Sequence, residues 1–187
     1  FQTLQKTHAL VAADGGANHL LGTELIPDAI VGDFDSLQHR VNWQKRTKLL
    51  AITEQDSTDF EKCLYSVRAP CYLALGFCGQ RLDHTLAALH VVMRHLKTHH
   101  IVLISDDDVI VLCDKDISLH LAVGSRLSIF PLSPVSFKSS QGLLYPLDLL
   151  QMQIGTTIGT SNSVTKPDVQ ICLDEQSSGC FALIAPT

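Results

Sequence analysis

Short apolar runs alternate with segments of helical spacing through the first hundred residues. The runs have the length of strands and lie at 9–13, 30–31, 49–52 and 71–75. Buried strands that alternate with amphipathic segments are typical of a parallel sheet with helical crossovers. The pattern therefore predicts a Rossmann-like parallel α/β domain in the amino-terminal part of the chain.

Two helices are predicted within this part. The first follows Asp56, and Thr58 and Glu61 form a capping-box pattern at its start. Its apolar residues recur at i, i+3, i+4 and i+7, namely Phe60, Cys63, Leu64 and Val67. The second is expected over 83–97, with one apolar face made of Leu86, Leu89, Met93 and Leu96.

After Ile101 the pattern changes to short alternating segments interrupted by turn residues, without helical spacing between them. Strand-like segments begin near Val109, Ile117, Arg126, Gln151, Val169 and Cys180. This predicts an antiparallel β-sandwich. We place the boundary at residue 105, which gives an α/β domain over 1–105 and an all-β domain over 106–187.

Composition excludes several classes of partner. The 187 residues are 45% hydrophobic and carry a net charge of −5, so no excess of cations is present to neutralise nucleic acid. Apolar runs are far shorter than the roughly 20 residues that span a membrane. Six cysteines without a C-x-x-C pair, and no secretory pattern after Phe1, predict a reduced, cytoplasmic protein.

Polar turns follow each predicted parallel strand, at 14–18, 32–36, 55–59 and 79–84. Ligands of open α/β sheets bind at the carboxyl ends of the strands. The turns would gather six carboxylates, those of Asp14, Asp33, Asp35, Asp56, Asp59 and Asp83. Such a density of negative charge is costly unless cations neutralise it, so it favours a divalent metal.

Asp33 and Asp35 are two residues apart, so an extended backbone directs both carboxylates to one side, and Gly32 permits close approach of a ligand. This predicts a Mg²⁺ site. Magnesium takes few protein carboxylates and fills its shell with water and phosphate oxygens, which indicates a phosphorylated substrate. For any one of these residues, turn formation is the alternative interpretation.

Candidate phosphate ligands lie in the last two turns. Lys62, one helical turn after Asp59, is placed to reach a phosphate, and Arg81 follows a glycine-bearing loop that suits bidentate contact. Backbone N–H groups of Ser57 and Thr58 form an anion cradle at a helix start, although N-capping explains both residues equally well.

The motifs, in their order and spacing, resemble those of thiamine pyrophosphokinases. They are ADGGAN at 13–18, GDFDS at 32–36, DSTDFEK at 56–62, RLDH at 81–84, GLLYPL at 142–147 and GTSN at 159–162. The resemblance spans nearly the whole chain. It implies an enzyme that uses Mg²⁺ and transfers pyrophosphate from ATP to the hydroxyl of thiamine, with active sites between the subunits of a homodimer.

The resemblance also implies roles for individual residues. Metal is assigned to Asp33, Asp35 and Asp59, and catalysis also involves Arg81, Asp83 and Asp14. ATP is assigned to a set drawn from the turns: Gly32, Gln55, Asp56, Ser57, Thr58, Lys62, Arg81 and His84. Thiamine is assigned to three residues from the partner subunit: Tyr145, Ser161 and Asn162.

Two other functions remain open at this point. Asp33 and Asp35 also fit a haloacid-dehalogenase-like phosphatase, in which the first Asp is the nucleophile and the second an acid/base. In that class the motif normally follows the first strand, whereas here another strand and an Asp-Gly-Gly turn precede it. The second alternative is a sensor that binds nucleotide or thiamine without turnover.

Overall fold

The structure is a computed structural model that describes residues 9–79 and 81–187. Each of the four apolar runs forms a strand, and both predicted helices are present. A short 3₁₀ helix, Asp14–Leu20, follows the first strand. The helices are α1 (Arg40–Gln44), α2 (Asp59–Ser66) and α3 (Leu82–His95). The strands are β1 (Val11–Ala13), β2 (Ala29–Gly32), β3 (Lys48–Ala51), β4 (Tyr72–Leu75), β5 (Ile101–Ile104), β6 (Asp108–Cys113), β7 (Ile117–His120), β8 (Arg126–Pro131), β9 (Val135–Gln141), β10 (Gln151–Met152), β11 (Gly159–Ser163), β12 (Asp168–Leu173) and β13 (Phe181–Pro186).

The chain divides into two compact units, Phe1–Ala69 and Pro70–Thr187. In the first unit, β1, β2 and β3 form a parallel sheet with β2 in the middle. All four residues of β2 are buried, as expected for a strand that is covered on both faces. The 3₁₀ helix and α1 complete an apolar core that contains Trp43, whose side chain is 1% exposed.

The second unit contains two further sheets. One has six strands in the order β11-β8-β13-β6-β5-β4, and the other has four in the order β10-β9-β12-β7. Both sheets contribute to one apolar core, in which the rings of Phe137 and Phe181 meet at 5.3 Å between centroids. Apart from the parallel pair β4–β5, every pairing in these sheets is antiparallel.

The fourth predicted parallel strand belongs to a different sheet from the first three. β4 pairs with β5, and β5 pairs antiparallel with β6 across a turn that is closed by the Ser105 amide and the Asp108 carbonyl oxygen at 2.9 Å. Apolar runs identify strands but not their partners, so the sequence does not assign β4 to a sheet. The first compact unit ends at residue 69, whereas the sequence places the domain boundary at residue 105. The division into domains 1–105 and 106–187 stays a prediction.

The buried face of α3 differs from the predicted one. Ala88, Val91 and Val92 are buried, whereas Leu86 is 57% exposed. Since α3 has apolar residues on nearly every side, its periodicity does not select one face. Among the described residues no helix combines the length and the apolar character that crossing a bilayer requires.

Candidate active site

Three carboxylates of the first unit converge where β1 and β2 end. Asp14 opens the 3₁₀ helix directly after β1, and Asp33 and Asp35 follow β2. The two strands are parallel neighbours with Ala13 opposite Val31, so both loops leave the same edge of the sheet. One oxygen from each carboxylate lies within 4.8 Å of the others. The sequence predicts that the acidic turns lie close together, and the structure confirms this for Asp14, Asp33 and Asp35.

Asp14 is the buried member of this group, with 1% of its surface exposed. Its Oδ2 accepts hydrogen bonds from the Ser36 hydroxyl and, at 3.3 Å, from the Ser36 amide. Its Oδ1 is buried and has no hydrogen-bond partner among the described residues. Burying a carboxylate oxygen without a partner is costly, and a bound cation would offset that cost.

Gly32 makes the close packing of this site possible. Its φ is +157°, and a Cβ at this position would lie 2.6 Å from the Cβ of Asp14 and 3.2 Å from Oδ1 of Asp59. No side chain fits into that space. The same distances place Asp59 beside Asp14, although Asp59 does not belong to the group of Asp14, Asp33 and Asp35, whose carboxylate oxygens lie within 4.8 Å of one another.

Asp33 and Asp35 have opposite electrostatic environments. Gln55 Nε2 donates to Asp33 Oδ2 at 2.9 Å, and this bond, followed by that from the Asp35 amide, holds the pKa of Asp33 below its ordinary value. The negative charge of Asp33, then desolvation and the charge of Asp14, raises the pKa of Asp35. A divalent cation bound between the two carboxylates would remove the repulsion that raises the pKa of Asp35.

Helix α2 begins as the capping box predicts, because the Thr58 hydroxyl accepts from the Glu61 amide at 3.2 Å. Lys62 is 2% exposed, and its ammonium donates to Asp59 Oδ1 at 3.1 Å. Burial alone would lower the pKa of Lys62, but the bond and charge of Asp59 raise it. The ammonium is therefore engaged by Asp59, and its predicted contact with phosphate stays a prediction.

The loop before α2 contains a residue that sequence reasoning missed. The Glu54 carboxylate accepts hydrogen bonds from the Asp56 amide at 2.8 Å, the Ser57 amide at 3.0 Å, the Ser57 hydroxyl and the Tyr65 hydroxyl. The Ser57 amide is therefore not free for an anion, contrary to the predicted cradle. The residues known for binding backbone amides close in sequence are Ser, Thr, Asn and Asp, so a glutamate at this position gave no sequence signal.

In the second unit, Arg81 and Asp83 form a forked ion pair at the start of α3. Arg81 Nε donates to Asp83 Oδ1 at 3.1 Å, and a second bond joins the other nitrogen and oxygen. The hydrogen bonds raise the pKa of Arg81 and lower the pKa of Asp83. Both side chains are about two thirds exposed, at 65% and 64%. His84, the residue after Asp83, is exposed. Gln80, in the turn that precedes Arg81, lies outside the described residues.

Tyr145, Ser161 and Asn162 come together in the second unit. Asn162 is 3% exposed, and its amide accepts from Tyr145 N at 3.0 Å and donates to Tyr145 O at 2.7 Å. Tyr145 itself is 63% exposed. Ser161 lies at a bulge of β11 with a φ of +59°, and its amide donates to Ser128 Oγ at 3.0 Å. Asn162 thus fixes the backbone that presents the Tyr145 ring.

Comparison with known proteins matches both parts of the chain to one family. Residues 1–104 match the model described as thiamin pyrophosphokinase, catalytic domain, and residues 112–177 match the thiamin pyrophosphokinase, vitamin B1 binding domain. Thiamin pyrophosphokinase 1 of Caenorhabditis elegans is 29% identical over 92% of this chain and 77% of its own. Thiamine pyrophosphokinase 2 of Arabidopsis thaliana is 30% identical over 86% and 73%, respectively.

Solved structures show the same fold. The chain is similar to thiamine pyrophosphokinase from Bacillus subtilis, with a TM-score of 0.83 and 23% identity over 99% of this chain and 91% of that one. It is also similar to the yeast enzyme, with a TM-score of 0.81 and 20% identity over 100% and 80%. The mixed arrangement of a parallel sheet with helices and antiparallel sheets is therefore confirmed.

Proposed function

The chain belongs to the thiamin pyrophosphokinase family, and we propose that it transfers pyrophosphate from ATP to the hydroxyl of thiamine, giving thiamine diphosphate and AMP. The observation that carries this is the match of both family models in sequence order. The acidic cluster of the first unit supplies the matching chemistry. Asp33 follows the middle strand β2, which gives no support to the dehalogenase-like alternative.

The residues of the site fit a magnesium ion. Asp14, Asp33 and Asp35 offer hard oxygen ligands within 4.8 Å of one another, and the unpartnered Oδ1 of Asp14 is suited to a cation. We assign the metal to Asp33, Asp35 and Asp59, and the geometry adds Asp14. When bound, magnesium offsets the negative charge of the phosphates and orients them.

The transfer forms a bond between the thiamine hydroxyl oxygen and the β-phosphorus of ATP. The bond from that phosphorus to the oxygen bridging to the α-phosphate breaks, and AMP leaves with its electron pair. A carboxylate of the site accepts the hydroxyl proton. Arg81 and Lys62 offset the charge that develops on the phosphates, while Asp14 and Asp83 organise their neighbours.

We assign ATP binding to residues of the polar turns that follow the strands. Gln55 supports this role because it already donates to Asp33. The other assigned residues are Gly32, Asp56, Ser57, Thr58, Lys62, Arg81 and His84. Of these, Thr58 also caps α2, so it contributes through the position of the helix start. Ser57 donates through its amide and hydroxyl to Glu54, so its contribution is through the position of the loop.

Within this proposal, residues 1–105 form the Rossmann-like part that binds Mg-ATP, and 106–187 form a β-sandwich that binds thiamine and dimerises. The common core of the two sheets supports the sandwich. Tyr145 packs its ring on thiamine and Ser161 contacts its polar edge, both from the partner subunit of a homodimer. Asn162 is assigned with them, and its amide supports the contact by holding the backbone of Tyr145. All six cysteines are free thiols, which supports a cytoplasmic protein.

Phosphorus NMR of the purified protein with thiamine, ATP and Mg²⁺ tests the function. We expect AMP and thiamine diphosphate to appear together, and neither to appear when thiamine is omitted. Asp33→Asn serves as the matched inactive control, since it removes one charge at nearly constant volume. Accumulation of ADP with thiamine monophosphate, or of inorganic phosphate alone, would contradict the proposal.

A further inference from the structure

The carboxylate of Glu54 is the centre of a hydrogen-bond network on the exposed loop 52–58. It accepts from the amides of Asp56 and Ser57, from the Ser57 hydroxyl, and from the Tyr65 hydroxyl at 2.7 Å. The hydroxyls of Ser57 and Tyr65 also lie 3.3 Å apart. We call Glu54, Ser57 and Tyr65 the Glu54 latch. None of its three side chains belongs to the carboxylate group of the metal site.

The latch joins two elements that border the candidate metal site. Glu54 immediately precedes Gln55, whose side chain donates to Asp33 Oδ2 at 2.9 Å. Tyr65 lies on α2, one turn beyond Lys62, and the first turn of the same helix carries Asp59. The latch therefore connects the loop that contacts Asp33 to the helix that presents Asp59.

The loop 52–58 depends on these hydrogen bonds for its position, because most of its residues are exposed to solvent. Four consecutive residues from Thr53 to Asp56 are exposed, and segments of this kind open easily when their hydrogen bonds are lost. Hydrogen bonds from Ser57, then from Tyr65, hold the pKa of Glu54 at about 2, so the carboxylate stays charged at neutral pH. A charged acceptor makes the stronger hydrogen bonds.

We propose that Glu54 and Tyr65 are positioning residues for pyrophosphate transfer: their hydrogen bond ties the loop 52–58 to α2 and so fixes Gln55 and Asp33 relative to Asp59 and Lys62. This role rests on the proposed function. Neither residue touches the reacting atoms, and both act through Gln55 and the start of α2. The competing role is that Glu54 occupies an anion site from which a phosphate of the substrate displaces it.

Two nearly isosteric substitutions separate these roles. Tyr65→Phe removes only the hydroxyl donor, and Glu54→Gln replaces the charged acceptor without changing its length. Glu24→Gln is the matched control, because Glu24 is also an exposed glutamate of the first unit and lies outside the latch. We expect kcat to fall roughly tenfold in Glu54→Gln, the lower end of the range for outer partners of metal ligands. The KM for thiamine and the activity of the control variant stay unchanged.

A double-mutant cycle and two measurements that do not depend on turnover complete the test. Tyr65→Phe has a smaller effect on kcat in the Glu54→Gln background than in the wild type, because the single acceptor oxygen of glutamine cannot serve the two amides and the two hydroxyls together. Amide hydrogen exchange at Asp56 and Ser57 becomes faster in both variants, and Mn²⁺ alone, followed by electron paramagnetic resonance, binds more weakly. These two measurements report on the latch even when no thiamine diphosphate is formed.

Three results would overturn the positioning role. The first is wild-type kcat together with unchanged amide exchange in both variants. The second is additive effects of the two substitutions in the cycle, which would show that the residues act separately. The third is a lower KM for ATP in Glu54→Gln, which would show that the carboxylate competes with a phosphate.

Discussion

Replacing Gly32 with alanine tests the close packing on which the candidate site depends. The added methyl group would lie 2.6 Å from Asp14 Cβ and 3.2 Å from Asp59 Oδ1, so Asp14 or the backbone has to move. Overpacking of this kind costs about 1–3 kcal/mol. The φ of +157° adds backbone strain of about 1–3 kcal/mol. We expect Gly32→Ala to lower the free energy of unfolding by about 3 kcal/mol.

Urea unfolding followed by tryptophan fluorescence measures this change where it occurs. The chain has one tryptophan, Trp43, which is buried in the core of the first unit, so its emission reports on that unit. Gly16→Ala is the matched control, because a Cβ there meets nothing within 4 Å. It leaves the unfolding free energy within about 1 kcal/mol of the wild type. Equal unfolding midpoints for the two variants would refute the packing described around Gly32.

Three further predictions concern catalysis, assembly and pH. Asp33→Asn and Asp35→Asn abolish turnover, because each removes a metal ligand, and near-normal activity at limiting Mg²⁺ would show that the residue does not bind the metal. Asp35→Asn does so without loss of unfolding free energy, since it also removes the repulsion that raises the pKa of Asp35. If sites are shared between subunits, co-refolding an Asp35→Asn chain with a chain carrying Tyr145→Ala and Asn162→Ala restores about a quarter of wild-type activity. Half of the dimers are then mixed, and each mixed dimer holds one intact site of two. Mixed dimers without activity would show that each site lies within one subunit. The folded pKa of Glu54 is about 2 against an ordinary 4.5, so its contribution to stability is complete above pH 4.5 and lost as the pH falls towards 2. The difference in the free energy of unfolding between wild type and Glu54→Gln, measured in urea, should shrink between pH 4.5 and pH 2. A difference that does not change with pH would contradict the lowered pKa of Glu54.

The sequence predicts the elements of the first unit well because local rules determine them. Apolar runs locate β1 to β4, and the Thr58 capping box locates the start of α2. The convergence of Asp14, Asp33 and Asp35 follows from one rule, that parallel strands end at the same edge of a sheet. These predictions need no knowledge of which side chains touch.

The parts that escaped prediction depend on contacts between residues distant in sequence or on competing local partners. Asn162 uses its amide on the backbone of Tyr145, 17 residues earlier, which no spacing rule indicates. Glu54 takes the Ser57 amide that the cradle interpretation left free for phosphate. β4 pairs with β5, and the antiparallel pairing of β5 with β6 places both strands in the six-stranded sheet, which the apolar pattern does not encode.

The unpartnered oxygen of Asp14 has a consequence for the energetics of the whole first unit. Asp14 Oδ1 is buried without a donor among the residues that the structure describes, so a cation that binds there would stabilise the native state and link its binding to folding. An ion that binds only the native state at 100 times its Kd adds about 2.7 kcal/mol to the stability of that state. On the proposal that this ion is magnesium, its cellular concentration would set how much of the chain is folded, and chelation would lower the abundance of the protein as well as its activity.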